Sequence, residues 1–274
     1  MLKTVEKLII KWKSILPNSL RSLATTTTID ERELKNFEKH SESWWDQSNE
    51  GNALHSMNFL RVPFIRDGLI DTCLVNEKYR DTAVPLTGLK ILDVGCGGGY
   101  LSEPLARLGG EVVGIDASNN LVTIAREHAG KDKTLNNLTY MVSSIEDFSS
   151  KNLEIFDAVV ASEVIEHVND QSRFVNECVK CLKPDGSIFL TTINKTFLSK
   201  LFAICVAETM GIVPVGTHEY DKFIEPHILQ RMLEDSNCCT RIIHGMFYNY
   251  LTNNWSWVSD TSICYATHAV KVSS

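Results

Sequence analysis

The stretch from Leu89 to Tyr100, LKILDVGCGGGY, decides the fold. Its apolar run Ile91–Val94 has the composition of a buried β-strand and stops in the glycine cluster Gly95–Gly99. A helical pattern follows, so the stretch predicts a strand, a tight turn and a helix. Glycines permit backbone angles that a Cβ forbids, and they let a ligand approach the main chain where a helix starts. The turn is therefore a candidate nucleotide site.

The spacing of the glycines narrows the kind of ligand. A dinucleotide fingerprint needs glycines at its first, third and sixth positions, and the sixth position here is Tyr100. The G-x-G-x-G arrangement after an acidic strand resembles instead the S-adenosylmethionine loop of class I methyltransferases. In that interpretation Gly95 and Gly97 bind the cofactor. A structural turn in another α/β protein is the alternative, and the sequence beyond the loop argues against it.

Composition and charge exclude some classes of function. The chain has 274 residues, 43% hydrophobic and 22% charged, which allows one sizeable α/β domain with appendages. Its net charge of −7 argues against nucleic acid as the main partner. Its 8 cysteines are scattered, which indicates a reducing compartment. The Cys178-x-x-Cys181 pair has no second pair to complete a zinc site, so we predict core packing rather than a redox motif.

The first 28 residues differ from the rest of the chain. Residues 1–28 carry a net charge of +4, which leaves −11 for the remainder, and their apolar residues follow a helical pattern interrupted by lysines. A basic, amphipathic, acid-poor start predicts a mitochondrial presequence over residues 1–28. The alternative is a basic helix that remains and docks on a membrane surface. A helical lead-in over residues 29–88 follows, and the methyltransferase-like domain occupies residues 89–274.

Beyond the glycine loop, β-type runs alternate with helical patterns. This order predicts a doubly wound α/β fold with a mostly parallel sheet, helices on both faces and ligands at the carboxyl ends of the strands. The β-rich stretches 241–251 and 261–270 suggest two final strands joined by a long connection. We therefore predict seven strands with the last antiparallel, and we interpret Trp255 and Trp257 as packing aromatics.

Asp116 ends the second β-run, about 20 positions past the glycine turn. A carboxylate at that place is suited to accept hydrogen bonds from the vicinal hydroxyls of a ribose. The same residue could also cap the following helix. The glycine loop and Asp116 together are far more specific than either alone.

A second group of reactive side chains follows the fourth β-run: Ser162-Glu163-Val164-Ile165-Glu166-His167. One helical turn would put Glu163, Glu166 and His167 on the same side. Two carboxylates and an imidazole could hold a divalent cation, magnesium or manganese before a thiolate metal. Alternatively, no metal binds and His167 acts as a base or as a capping, core-linking group.

The lead-in offers few chemical signals of its own. Two large aromatics, Trp44 and Trp45, are placed to cover the edge of a pocket or core. Arg61 follows an apolar run, and from the residues alone we interpret it as a surface charge.

Six stretches of the chain together carry a resemblance to a known family: LDVGCGGGYL, GIDAS, SEVIEHV, SWWD, LHSMNFLR and VGTHEYDKFI. They resemble the ubiquinone-biosynthesis O-methyltransferases, mitochondrial and bacterial enzymes that methylate polyprenylated catechol-type intermediates. The resemblance extends from about Phe37 to the end of the chain.

The resemblance implies specific roles for residues of this chain. Arg61, Gly95, Asp116 and Ser162 would bind S-adenosylmethionine, with Arg61 reaching the methionine carboxylate. Ser162 is a mild departure, since some relatives carry methionine there. The resemblance also implies that Glu163, Glu166 and His167 coordinate magnesium.

The mechanism implied is methyl transfer to a phenol. A phenol is a weak nucleophile near neutral pH because its pKa is near 10, and a divalent cation on two vicinal oxygens would lower that pKa. Without a metal, His167 would be the general base. Two rival functions remain: a metal-independent methyltransferase for another small molecule, and a cofactor-binding scaffold subunit of a biosynthetic complex.

Residues 196–215 are strongly apolar, but Lys200 and Glu208 interrupt them. They are either a buried helix or an interfacial segment that dips into a membrane and admits a polyprenyl tail. We expect peripheral association with the matrix side of the mitochondrial inner membrane, and contact with other subunits of a ubiquinone-biosynthesis complex. His218, Glu219, Tyr220 and Asp221 are predicted to line the substrate mouth, with a solvated loop as the alternative.

Overall fold

The structure, a computed structural model, describes residues 27–39, 44–45, 52–199, 220–249 and 251–273. Most of the predicted presequence lies outside these residues. So do residues 200–215 of the predicted membrane segment, and His218 and Glu219. The domain boundaries at residues 28 and 88 stay predictions.

Eight strands form the described sheet: β1 Lys90–Val94, β2 Glu111–Asp116, β3 Leu138–Val142, β4 Phe156–Ser162, β5 Leu182–Ile193, β6 Cys238–Asn249, β7 Asn254–Val258 and β8 Cys264–Lys271. Ten described helices accompany them: α1 Glu31–Lys39, α2 Asn52–Ser56, α3 Asn58–Asp71, α4 Glu77–Arg80, α5 Ser102–Arg107, α6 Asn119–Ala129, α7 Ile145–Ser149, α8 Gln171–Cys181, α9 Phe197–Ser199 and α10 Pro226–Asp235. Two 3₁₀ turns cover Ile165–His167 and Tyr220–Lys222.

The strand order β3-β2-β1-β4-β5-β8-β6-β7 explains where a ligand can bind. Strand β1 pairs in parallel with β2 on one side and with β4 on the other, so the order reverses between β1 and β4. Parallel sheets of this kind open a crevice at that reversal, beyond the carboxyl ends of the strands. The glycine loop follows β1, and the turn that carries Glu163 and Glu166, here called the acidic turn, follows β4. Both therefore lie at this crevice.

The predicted doubly wound fold is confirmed, and its last strand β8 is antiparallel to β5 as predicted. The predicted count of seven strands is wrong, because the connection between the last two predicted strands contains β7. Asn253 has a φ of 50°, in the left-handed region that tight turns use, and β7 then pairs antiparallel with β6. A strand of five residues between two longer ones left no separate signal in the sequence.

The two tryptophans of β7 pack, as predicted. Trp255 lies against Tyr248, with 4.9 Å between ring centroids, and Trp257 lies 5.3 Å from the ring of Phe64 in α3. Strand β7 therefore joins the lead-in helix α3 to the edge of the sheet.

Two hydrophobic cores cover the two faces of the sheet. In β4 the alternation is complete, since Val159 and Ala161 enter one core while Ala158 and Val160 enter the other. Helices α8 and α10 supply the first core, which also contains Cys178 and Cys181, both fully buried and free of disulfides. Their predicted role as core residues is confirmed.

Candidate active site

The glycine loop closes tightly onto the neighbouring strand β2. The amides of Gly95 and Cys96 both donate to the carbonyl oxygen of Ile115, at 2.8 and 3.0 Å. Gly95 has a φ of 70°, and a Cβ there would lie 2.5 Å from Cγ2 of Val164. Only glycine fits both constraints. The loop is therefore packed directly against the turn that carries Glu163 and Glu166.

Asp116 lies beside this loop at the end of β2. Its Oδ2 accepts from the Gly97 amide at 3.0 Å, and its Oδ1 accepts from the Ser118 amide at 2.8 Å. Burial raises the pKa of Asp116, although these backbone hydrogen bonds act to lower it. The possible capping role of Asp116 is wrong, because the N-cap of α6 is Ser118, which accepts from the Leu121 amide. Asp116 is thus held at the loop, where a ribose could reach it.

Arg61 is buried, only 5% exposed, so its interpretation as a surface charge is wrong. Its Nη1 donates to Ser162 Oγ at 2.8 Å, and its Nη2 donates to the Leu54 carbonyl at 2.8 Å and to Asn58 Oδ1 at 2.7 Å. Its Nε also donates to Asn58, at 3.1 Å. Burial lowers the pKa of Arg61 to about 10, so the group remains a cation at neutral pH.

These contacts limit how Arg61 can hold a ligand. A guanidinium has five N–H donors, and the described partners use those of Nε and Nη2 and one of Nη1. One N–H of Nη1 is left for a ligand such as a carboxylate. Asn58 also donates to the Tyr100 carbonyl at 2.6 Å, so it ties Arg61 to the glycine loop. In the sequence, the only feature that could have singled out Asn58 is its position three residues before Arg61 on the same helix.

Trp44 and Trp45 cover the glycine loop. A Cβ on Gly98 would lie 2.3 Å from Cδ1 of Trp44, so the indole rests directly on the main chain. Trp45 donates from Nε1 to the Gly98 carbonyl at 3.0 Å and stacks on His128, with 3.4 Å between centroids. Both aromatics therefore cover the glycine loop, which agrees with their predicted place at the edge of a pocket or core.

The acidic turn after β4 differs from the helical turn predicted for it. Glu163 has a φ of 57°, outside any right-handed helix, and only Ile165–His167 form a 3₁₀ turn. The Glu163 amide donates to the Thr191 carbonyl at 2.9 Å, which fixes this turn to β5. The turn still brings the two carboxylates together, because Glu163 and Glu166 perturb each other's ionisation.

The two carboxylates lie in a low-dielectric site. Among the described residues, Oε1 of Glu163 and Oε1 of Glu166 are both buried and without a hydrogen-bond partner. Burial and the charge of Glu163 raise the pKa of Glu166 to about 7. Burial also raises the pKa of Glu163, although a hydrogen bond with Thr191 and the charge of Arg61 act to lower it. A pair of this kind can share a proton or receive a cation.

His167 is paired with a residue far away in the sequence. Its Nδ1 lies 3.1 Å from Oε2 of Glu33 in α1, a residue that no sequence pattern singles out. Burial would lower the pKa of His167, but the hydrogen bond with Glu33 and the charge of Glu166 outweigh it and raise the pKa. Within the described parts of the chain, no three His, Cys, Asp or Glu side chains are arranged to hold a metal ion.

The fold and the site together define a class of protein. A glycine loop after β1, a carboxylate after β2 and a crevice at the β1/β4 reversal are the defining features of class I S-adenosylmethionine-dependent methyltransferases. Residues 92–190 match the family model for a methyltransferase domain. The Synechocystis PCC 6803 magnesium protoporphyrin IX methyltransferase with bound S-adenosylmethionine shares the fold. The two structures match with a TM-score of 0.57 at 16% identity, over 90% of this chain and all of that one.

Sequence relatives give the family. The chain is 47% identical to the mitochondrial ubiquinone biosynthesis O-methyltransferase of Rattus norvegicus, over 90% of this chain and 71% of that protein. It is 39% identical to the ubiquinone biosynthesis O-methyltransferase of Pelagibacter ubique, over 89% and 99%. The chain belongs to the family of ubiquinone biosynthesis O-methyltransferases and is an S-adenosylmethionine-dependent O-methyltransferase. The mammalian relatives are named as mitochondrial proteins, which supports a mitochondrial location.

Proposed function

We propose that this enzyme transfers a methyl group from S-adenosylmethionine to a phenolic hydroxyl of polyprenylated catechol-type intermediates, dihydroxy-polyprenylbenzoate and demethylubiquinol. The names of the relatives support ubiquinone biosynthesis as the pathway. The observation that carries the proposal is the carboxylate pair of Glu163, which is partly buried, and Glu166, which is buried. The pair begins one residue beyond Ser162, the contact of Arg61. Acidic groups at that point suit a substrate that has to lose a proton before it accepts a methyl group.

We propose that the glycine loop and its neighbours bind the methyl donor. Gly95 and Gly97 present backbone to it, Asp116 accepts from its ribose, and Arg61 donates its remaining N–H to the methionine carboxylate. Ser162 holds the guanidinium in place at 2.8 Å. This arrangement orients the donor for in-line displacement, and most of the protein's contribution is alignment.

We propose that Glu163, Glu166 and His167 hold Mg²⁺. Two buried carboxylate oxygens without described partners are the hard ligands that this ion prefers, and burial raises the pKa of both groups, so a bound cation would favour their charged forms. When bound, the ion would lower the pKa of a catechol hydroxyl and orient it. The third ligand is the weaker part of the fit, because the described side chains do not form a three-residue set.

The pairing of His167 with Glu33 supports a second mechanism. A carboxylate that holds one imidazole nitrogen orients the ring and favours proton uptake at the other nitrogen. Under this mechanism His167 removes the phenolic proton itself and no metal is required.

Chelation separates the two mechanisms. We expect a chelator to abolish methyl transfer to a polyprenyl catechol and Mg²⁺ to restore it, while binding of S-adenosylhomocysteine continues. Glu163→Gln and Glu166→Gln should lose activity at least tenfold. Glu177→Gln is the matched control, since Glu177 is also buried but lies in α8 and bonds Ser149. Full activity in metal-stripped enzyme would assign the reaction to His167 alone, and loss of activity in the Glu177 variant would mean that any buried acid is needed.

We propose peripheral association with the matrix side of the inner membrane through residues 196–215, and contact with other enzymes of the pathway. Phe197 is 77% exposed and Leu198 is 45% exposed, which is unusual for large apolar side chains in water. Among the described residues, no helix is long and apolar enough to cross a bilayer. Flotation with cardiolipin-containing vesicles should weaken in Phe197→Ser/Leu198→Ser. It should persist in Phe59→Ser, whose side chain is equally exposed elsewhere.

Pathway contacts are tested separately. A tagged chain purified from mitochondria in mild detergent should carry other enzymes of ubiquinone biosynthesis with it. If the chain elutes alone under those conditions, the expected partners are wrong.

A further inference from the structure

Residues 27–33, here called the N-terminal strap, lie against the acidic turn. Ile29 forms a β-bridge with Val168, the residue after His167. The Asn169 amide donates to the Thr28 carbonyl at 2.8 Å, and the Asn169 side chain donates to the Ile29 carbonyl at 3.1 Å. The Thr28 amide in turn donates to Glu146 at 2.6 Å. The strap is thus fixed by backbone contacts at both of its sides.

Two buried acids of the strap reach into the site. Asp30, 6% exposed, binds Lys222 Nζ at 2.8 Å and so secures the strap to the 3₁₀ turn Tyr220–Lys222. Glu33, 7% exposed, places Oε2 at 3.1 Å from Nδ1 of His167, while its Oε1 is 3.9 Å from Lys222. Lys222 therefore binds Asp30 closely and Glu33 only loosely, which leaves Glu33 directed at the imidazole.

We propose that Glu33 is a positioning residue for His167. A carboxylate only accepts hydrogen bonds, so Nδ1 of His167 must carry the proton that it shares with Glu33, and Nε2 of the neutral ring then carries the lone pair. Carboxylates that hold the second nitrogen of a functional histidine fix both its tautomer and its ring orientation. This inference rests on the role of His167 in the proposed function.

The inference holds for both mechanisms above. A histidine that binds a metal and a histidine that removes a proton both act through an unprotonated ring nitrogen, and the contact of Glu33 with Nδ1 makes Nε2 that nitrogen. The consequence is that a residue 134 positions before His167 sets the chemistry of the acceptor site. The strap is then a part of the active site as well as of the fold.

Four variants of the strap separate positioning of His167 from a structural role. Glu33→Leu removes the acceptor, while Glu33→Gln keeps an acceptor oxygen and loses only the charge. Asp30→Asn weakens the closer ion pair with Lys222 but leaves Glu33 and His167 in contact. Glu31→Gln is the control for the helix itself, because Glu31 is an exposed residue of the first turn of α1.

Catalysis provides the first measurement, on the full-length enzyme with a polyprenyl catechol. We expect Glu33→Leu to lower kcat about 10- to 100-fold, the usual effect of losing such a partner, with KM for S-adenosylmethionine within twofold of wild type. Glu33→Gln should recover most of kcat, and Asp30→Asn and Glu31→Gln should stay within threefold. An equal loss in Glu33→Gln and Asp30→Asn would show a structural role and overturn the proposal.

The tautomer provides a measurement that does not need activity. Nitrogen-15 shifts of His167, assigned with His167→Gln and recorded at a pH that keeps the ring neutral, should show a protonated Nδ1 and an unprotonated Nε2. Glu33→Leu should move the proton toward Nε2. Unchanged shifts in Glu33→Leu would overturn the proposal even in an active enzyme. Conversely, an inactive wild type with the expected shifts would reject the proposed function and leave the positioning role standing.

Discussion

The two halves of the candidate site are built in different ways. The donor half, Gly95–Gly99 with Asp116, consists largely of backbone amides and one carboxylate from neighbouring strands. The acceptor half, Glu163, Glu166 and His167 with Glu33, consists of buried and partly buried side chains, two of them 134 residues apart. Backbone sites follow from local turn geometry, whereas side-chain sites depend on tertiary packing. The donor half therefore identifies a broad class of enzymes, and the acceptor half distinguishes members within it.

Arg61 joins the two halves, so its loss should have the largest effect on donor binding. Arg61→Met removes a buried cation and leaves Asn58, Ser162 and the Leu54 carbonyl without their donor. Charged hydrogen bonds contribute about 1.5–3 kcal/mol each, so we expect affinity for S-adenosylhomocysteine to fall about 100-fold, measured by isothermal titration calorimetry.

The control for this prediction lies in the same helix. Arg66 is partly exposed and pairs only with its neighbour Asp67 among the described residues, so Arg66→Met should bind within twofold of wild type. Equal affinity in Arg61→Met and wild type would mean that Arg61 serves the fold and not the donor.

Gly95→Ala tests whether donor binding depends on the contact between the glycine loop and the acidic turn. Its Cβ would meet Val164 at 2.5 Å, and a φ of 70° adds strain. We expect affinity for S-adenosylhomocysteine to fall about 30-fold, or about 2 kcal/mol, because loop and acidic turn would have to separate.

The control variant Gly88→Ala separates the effect of the collision with Val164 from the effect of backbone strain. Gly88 has a φ of 88° but nothing within 4 Å of the added Cβ. Gly88→Ala should therefore lose about 1 kcal/mol of stability and keep its affinity. If both variants lose affinity alike, backbone strain alone explains the effect and the contact with Val164 is irrelevant.

The difference between backbone sites and side-chain sites also determines which parts of the fold and of the candidate site could be predicted from the sequence. The loop, Asp116 and the parallel sheet came from local patterns, because glycine spacing and strand periodicity are set by neighbouring residues. Arg61 did not, since a lone arginine on a helix does not show that Asn58 and Ser162 bury it. Glu33 could not be found at all, because only the folded chain brings the strap to His167. The resemblance supplied the role of Arg61, and nothing in the sequence supplied Glu33.

Trp44 offers a smaller test of the donor half. Its ring rests on Gly98 and stacks on Tyr100, with 5.6 Å between centroids. Aromatic contacts of this kind contribute about 0.5–1.5 kcal/mol beyond their buried area, so Trp44→Ala should weaken S-adenosylhomocysteine binding up to about tenfold. Trp257→Ala, which alters packing at the sheet edge, should leave affinity unchanged in the same titration. Tighter binding by Trp44→Ala would instead show that the indole occupies part of the donor site.

His268 belongs to neither half of the site, but it also makes the stability of the fold depend on pH. Its contribution has to be separated from that of the acceptor half. His268 is 2% exposed, stacks 4.3 Å from the Phe189 ring and bonds Ser187 at 3.1 Å. Burial, together with the charge of Arg241, lowers its pKa from 6.5 to about 4. The unfolded chain therefore binds a proton below pH 6.5 that the folded chain refuses until about pH 4, so this contribution to stability is complete above pH 6.5 and is lost as the pH falls.

The expected loss of unfolding free energy is small, so it has to be measured against a control variant. At pH 5.5 it amounts to about 1 kcal/mol, so the difference in unfolding free energy between wild type and His268→Gln should shrink by that amount between pH 7 and pH 5.5 in urea titrations. His227→Gln, at a site whose side chain is 67% exposed, should follow wild type at both pH values. A constant difference for His268→Gln would place the acid sensitivity of the fold elsewhere, but not at the carboxylates Glu163 and Glu166 of the acceptor half. Their raised folded-state pKa values mean that the folded chain binds these protons before the unfolded chain does, which stabilises the fold as the pH falls.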